Sequence, residues 1–432
     1  MSDREQWLLD ELPRLQREGV INAGAAAALH AHYAQAAAAP AGPLRPALGL
    51  VISAVLGVAL IGLGVILLLA HNWDDWSRAT RTFVSLAPLV LAQGLSLWAL
   101  RRRGDSAAWL ESAATAQALA VAAAIALVGQ TYHLYGNLDD YLLSCALLAL
   151  PLVYVMRSTV VAAVCALTFG AWAWQTSSWL WLPLREGASL YPLWLGLLVP
   201  TLVRELRTDR HSLRSAILLW SMTISFAVAM PAIAGWHGGW AGTYAALFAA
   251  CYLADARWFG GERLFFGRPL RTIGALGIAV LALGFASREG WRELGYGLLP
   301  AGHGIAVVLP AAVILAALGL WLLAWREREP ATLVFGALPV LVLLAPSLGH
   351  GGALVAFNLY AAALAFVTVR QGFHEQRLRT LNFGLAIAAG LALMRFVDSD
   401  LPYTVRGIGF VVVGAAVLGA NLWVVRRRRS AA

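Results

Sequence analysis

The sequence predicts an all-α protein: a polytopic transmembrane helical bundle of about 14 spans behind a small N-terminal cytoplasmic helical hairpin. Three observations carry this. Of 432 residues, 60% are hydrophobic and only 13% charged, whereas a soluble chain carries about 25% charged residues. Apolar runs long enough to cross a bilayer recur along nearly the whole length, since about 20 residues span its hydrocarbon core as a helix. The short alternating segments of a β-barrel are absent.

The elements follow in order. Residues 1–39 read as the hairpin, with Trp7, Leu8, Leu12 and Leu15 at helical spacing. Gly19 breaks the first helix and Asn22 is placed to cap a second, alanine-rich one. The opening MSDREQWLLDELPRLQREG is polar and amphipathic, so no cleavable signal peptide is expected there. Residues 40–47, with PAGPLRP, form a proline-rich linker. Residues 48–432 make the bundle.

The expected spans are 48–70, 82–100, 113–131, 141–156, 159–174, 190–203, 215–234, 241–256, 270–286, 305–325, 331–348, 352–369, 380–397 and 403–425. The fifth and sixth are short enough to be re-entrant or tilted. Charge tests the count. With the N-terminus in the cytoplasm, the inner loops hold 21 arginines and the outer loops hold five: Arg78, Arg81, Arg185, Arg288 and Arg292. A missed helix would invert every later loop, so the alternation supports an even number of spans with both termini inside. Trp73, Trp76, Trp179, Trp181, Trp236, Trp240 and Trp325 fall at expected span ends, as interfacial belts require. A bacterial inner membrane is the expected location.

The net charge of +9 reflects this orientation rather than nucleic acid, because the arginines cluster in short loops between apolar runs. The inner loops read as collars that set topology and touch anionic headgroups of membrane lipids. Cys145, Cys165 and Cys251 lie inside apolar runs and act as small hydrophobes, with no disulfide framework. No metal-ligand spacing is present and no cofactor is expected. The two halves share no visible repeat.

Candidate chemistry gathers on the expected outer side. AHNWDDWSRATR (70–81) follows the first span, GQTYHLYGNLDDY (129–141) ends the third, and RFVDSDLPYTVRG (395–407) joins the last two. His71 and His133 each follow a span and stand near an aromatic residue and an aspartate pair. That suits acid/base work with Asp139, or a metal pair were the two loops to meet. The plainer alternative is an imidazole at a helix end. Trp73 and Tyr132 offer stacking surface, Gln130 a hydrogen bond, and Arg78, Arg395 and Arg406 charge complementarity for a phosphate or carboxylate. Arg395 and Arg406 lie at the ends of apolar spans, where an isolated charge costs roughly 3 kcal/mol or more. Asp398, three residues after Arg395, is on the same helical face and could close a structural salt bridge. The central span positions hold neutral polar residues, Gln93, Gln117, Asn358 and Thr168, which weighs against an ion-driven pump.

Three stretches resemble a known family: LLDELPRLQREGVINAGAAAALHAHY, GVILLLAHNWDDWSRATR and ALVGQTYHLYGNLDDYLL. They are similar to bacterial predicted membrane proteins grouped as domain of unknown function 2157. In that family a first span ends in an Ala-His-Asn-Trp motif followed by an arginine, here Ala70, His71, Asn72, Trp73 and Arg78. A later span ends in Gly-Gln-x-Tyr-His, here Gly129, Gln130, Tyr132 and His133. The likeness covers the first 160 residues (48–160 of the bundle) and, more loosely, the C-terminal four-helix part, 331–425. There Arg406 and Gly407 match an Arg-Gly pair. The middle, 175–330, aligns with nothing. The resemblance implies the membrane class and no activity.

The expected function is therefore binding or processing of an amphipathic ligand, a lipid or lipid-linked glycan, at the outer face. The alternatives are a transporter or flippase without acidic coupling residues, and a structural or sensory protein whose residues 1–39 bind a cytoplasmic protein partner. Residues 1–39 in the first two cases have no assigned role.

Overall fold

The computed structural model of the chain describes residues 11–12, 14–29, 73, 75–176, 189–234, 240–260, 267–288, 290, 304–375, 377–398 and single positions up to 419. Every regular element among these residues is helical. The chain divides into two compact units, Met1–Ser77 and Arg78–Ala432.

In the first unit, helical turns cover 14–17 and 23–29. Between them Gly19 takes a φ of 72°, a left-handed conformation that glycine adopts without a Cβ clash. The side-chain oxygen of Asn22 accepts the Ala25 N–H at 2.7 Å, capping the second stretch. The linker 40–47 and the first expected span lie outside the described residues.

The second unit begins with four helices joined by short turns: α1 (Arg78–Arg102), α2 (Ala107–Tyr132), α3 (Leu138–Val155) and α4 (Thr159–Thr176). Each packs on the next. The α3–α4 turn is held from a third helix. Glu111 of α2 accepts Ser158 Oγ at 2.5 Å, Thr159 N–H at 2.8 Å and Val160 N–H at 3.2 Å. A carboxylate there satisfies donors that a helix start leaves open and complements its dipole.

The sixth expected span, 190–203, is instead two short helices, α5 (Tyr191–Gly196) and α6 (Val199–Asp209). Pro200 explains the break, because it lacks an N–H and its ring would strike the carbonyl of Gly196, four residues back. Then come α7 (Leu213–Ala234), α8 (Trp240–Trp258), α9 (Pro269–Ala286) and α10 (Ile305–Ala324). The stretch Pro330–His374 is apolar over 45 residues. It comprises α11 (Pro330–Gly336), α12 (Leu338–Leu344), a 3-10 turn at Ala345–Leu348 and α13 (Gly349–His374). α11 packs back on α13, so the chain reverses there. α14 (Leu378–Asp398) completes the described part and lies along α13.

Eight helical stretches among the described residues are long and apolar enough to cross a membrane. They correspond to the second to fifth, seventh, ninth and tenth expected spans, with the eleventh and twelfth forming the Pro330–His374 stretch. α8 and α14 form at the eighth and thirteenth positions and are not among the eight. The fourteenth, 403–425, lies almost wholly outside the described residues.

Large apolar side chains such as Phe83, Leu91, Val280, Leu315 and Leu359 point outward and are more than 60% exposed. So many such surfaces on one chain suit lipid rather than water. Alanines recur through the interior beside larger side chains such as Phe169, Phe285 and Phe357. Ala162, Ala166 and Ala173 of α4, with Ala229 and Ala232 of α7, belong to one buried cluster. Ala241, Ala245 and Ala249 of α8, with Ala282 of α9, belong to another. Small side chains let backbones approach, which is what joins helices when lipid is as apolar as leucine.

The ends of the bundle sort as the charge alternation requires. Arg257, in the last turn of α8, pairs with Glu327, after α10, at 2.6 Å. Arg210, after α6, donates to the Trp258 carbonyl at 3.1 Å. At the other end, the Arg288 N–H donates to Asp398 at 2.8 Å. Loops expected on one side meet one another, giving an arginine-rich end and an opposite end.

Candidate functional site

GQTYHLYGNLDDY turns out to be a helix end, a turn and a helix start. α2 closes at Tyr132, and His133 takes φ 54° and ψ 40°. The His133 N–H donates to the Gln130 carbonyl, and the Leu134 N–H to the Gly129 carbonyl at 2.9 Å. This is the left-handed helix cap that glycine usually occupies. The hydroxyl of Tyr132 meets Thr82 Oγ1 at 3.0 Å, while Thr82 itself donates to the Arg78 carbonyl. So Tyr132 ties the end of α2 to the start of α1. Asp139 and Asp140 stand in the first turn of α3, where a negative charge complements the helix dipole. Gln130 and His133 are exposed.

The expected Arg395–Asp398 pair is present at 3.5 Å. Both residues also hold the end of α9. Arg395 donates to the Ala286 carbonyl, which accepts Asn358 Nδ2 at 3.0 Å as well. Asp398 accepts the Arg288 N–H just beyond. A cation on the last carbonyls and an anion on the next N–H close this end of the bundle.

Trp73 is described in the first unit. It is buried, stands 6.2 Å from Trp76 between ring centroids, and its indole N–H has no acceptor among the described residues. Arg78 opens α1. His71 and Arg406 lie outside the described residues. Among the described residues, no group of three or more His, Cys, Asp or Glu is placed to hold a metal.

The groups that do converge are at the arginine-rich end. A cavity of about 850 Å³ lies where α9 and α14 begin and α13 ends. Among the described residues four arginines line it, Arg268 just before α9 and Arg271 in its first turn, Arg377 just before α14 and Arg379 in its first turn. Two helix starts of 18 and 21 residues add their partial positive charge. Among the described residues, the lining also includes Thr368, Gln371 and Asn382, and no carboxylate.

Each cation is held differently. Arg268 donates from Nε to Asp255 at 2.9 Å and from Nη2 to the same carboxylate oxygen. Arg271 lies over the Tyr252 ring, 5.3 Å from its centroid. Tyr252 in turn stacks on Phe335 at 4.2 Å, nearly parallel. Arg377 pairs with Glu375 at 3.3 Å. Arg379 is exposed. The opposite wall is apolar: Phe383, Ala275 and Leu276, the last exposed on the outside of α9. Such a site can take an anionic group at its base and a hydrocarbon along its wall.

Reading the inner loops as collars missed this convergence. One signal was available. Leu-Arg-Thr opens both α9 (Leu270, Arg271, Thr272) and α14 (Leu378, Arg379, Thr380). The packing that joins these two starts through α13 is not visible in the sequence.

Residues 13–162 match the family model described as Predicted membrane protein (DUF2157). The match takes in the Trp73, Arg78 and Gly129–His133 motifs and ends early in α4. The C-terminal likeness and the cavity lie outside it. No curated protein and no solved structure matches the chain. Family match and apolar helices together describe a multi-pass membrane protein.

Proposed function

We propose that this membrane protein binds an amphipathic anionic ligand, a lipid or lipid-linked glycan, with its headgroup in the cavity at the start of α9 and α14. The observation that carries this is the cavity itself, four arginines facing an apolar wall on the bilayer side. Guanidinium groups bind phosphate and carboxylate through charge-assisted, directional hydrogen bonds. The positive-inside pattern supports a cytoplasmic side for this end, and with it a ligand from the inner leaflet of a bacterial inner membrane.

A second reading keeps the ligand at the expected outer face, near His71 and Trp73. It is favoured by Trp73, whose buried indole N–H lacks an acceptor among the described residues, since a buried donor left open costs about 1–3 kcal/mol.

Native mass spectrometry on gently extracted protein separates the two. The expected result is a bound amphiphile kept in His133→Ala and Trp73→Phe and lost from Arg271→Gln. Loss from Trp73→Phe with retention in Arg271→Gln would move the site to the outer face. A wild-type protein carrying no amphiphile would overturn both readings.

A further inference from the structure

The cavity's charge specifies its ligand further, an inference that rests on the amphiphile-binding reading above. Two of its four cations already have anionic partners. Asp255 holds Arg268, and Glu375 stands 3.3 Å from Arg377. Among the described residues, Arg271 lies against an aromatic face, 5.3 Å from the Tyr252 centroid, and Arg379 is exposed at the first turn of α14. Among the described residues, two guanidinium charges are thus left for the ligand, flanked by the positive ends of two helices.

From this balance we infer that the ligand's headgroup is a phosphomonoester, which carries about −1.5 to −2 charge near neutral pH. A phosphodiester carries a single charge and would leave one guanidinium uncompensated. A zwitterionic headgroup would bring a further cation into the cavity. Three terminal oxygens also suit the donors present. Arg271 and Arg379 approach from two helix starts, each able to give paired N–H bonds, and Asn382 adds an amide donor. The stack of Phe335, Tyr252 and Arg271 keeps one guanidinium oriented before the ligand arrives, which lowers the entropy lost on binding.

A phosphomonoester could arrive on a lipid or on a small free ester. Leu276 and Phe383 on the bilayer side favour the lipid, and the test separates the sources. Purified full-length protein in a zwitterionic detergent is titrated with four soluble probes: short-chain phosphatidic acid, the matching phosphatidylglycerol, the matching phosphatidylcholine, and glycerol phosphate. Binding is followed by native mass spectrometry. The expected order places phosphatidic acid about tenfold or more ahead of phosphatidylglycerol, with phosphatidylcholine weakest. Arg271→Gln and Arg379→Gln should each weaken phosphatidic acid by about tenfold or more and narrow its lead. Arg326→Gln, at the same end but outside the cavity lining, should leave it unchanged.

Equal binding of phosphatidic acid and phosphatidylglycerol, insensitive to both substitutions, would overturn the headgroup assignment while leaving an amphiphile site standing. Binding of none of the lipids would overturn both. Glycerol phosphate binding as tightly as phosphatidic acid would confirm the phosphomonoester pocket and assign its source to a free ester.

Discussion

Asp255 grips Arg268 through two N–H groups on one carboxylate oxygen, and both residues are almost sealed from solvent, at 1% and 8% exposure. The pair links the end of α8 to the first residue before α9 and so fixes where α9 enters the cavity. Removing one partner of a buried pair leaves the other charge isolated, which costs about 3–5 kcal/mol. Asp255→Ala should therefore destabilise the protein by about that much, read by tryptophan-fluorescence melting in detergent. The double variant with Arg268→Ala should lose less than the sum of the singles. Strictly additive losses would show that the two side chains do not act as a pair.

His133 offers a test in the opposite direction. It holds a left-handed φ of 54° at the end of α2, a conformation that a side chain disfavours and glycine does not. His133→Gly should be neutral or stabilising by up to about 1 kcal/mol, with bound amphiphile retained. A stable variant that has lost its ligand would instead make this imidazole part of a working site.

The crossing of α4 and α7 depends on a missing side chain. A Cβ on Gly170 would lie 2.8 Å from Ser225 Oγ, 2.9 Å from Ser225 Cα and 3.0 Å from its carbonyl oxygen. Ser225 there donates to the Ala166 carbonyl at 2.5 Å and accepts from the Tyr191 hydroxyl at 2.8 Å. Gly170→Ala should cost about 1–3 kcal/mol through overpacking. Adding Ser225→Ala should not restore stability, because the backbone contacts remain. Full recovery in the double variant would mean that the hydroxyl alone sets the helix spacing.

Sidedness can be read with a membrane-impermeant maleimide. Cys165 and Cys251 are buried and Cys145 is half-buried, so background labelling should be low. In intact cells Tyr135→Cys, at a fully exposed turn, should label from outside, whereas Arg326→Cys should label only after lysis. The reverse pattern would invert the orientation and put the cationic cavity on the outer side.

Much of the architecture was legible. Helix content followed from apolar runs, and their breaks from Pro, Gly and Arg clusters. The grouping of loop residues into two ends followed from arginine alternation, because a loop's side depends only on how many crossings precede it. The Arg395–Asp398 pair was readable from its three-residue spacing, which puts both on one helical face. The split of the sixth span was less plain, since hydropathy hardly registers what Pro200 does to a backbone.

The site was less legible for a physical reason. In a bilayer, lipid-facing and buried surfaces are both apolar, so a span carries no hydrophobic stripe that says which face meets which neighbour. The sequence by itself determined that this chain is helical, crosses a membrane many times and gathers arginine at one end. Tertiary structure alone decided that Arg271 and Arg379, more than a hundred residues apart, share one cavity. Close approach makes that possible. Gly372 and Gly384 bring α13 against α14, and Gly274 and Gly277 bring α9 against α8, at contacts where a Cβ would strike the neighbouring helix.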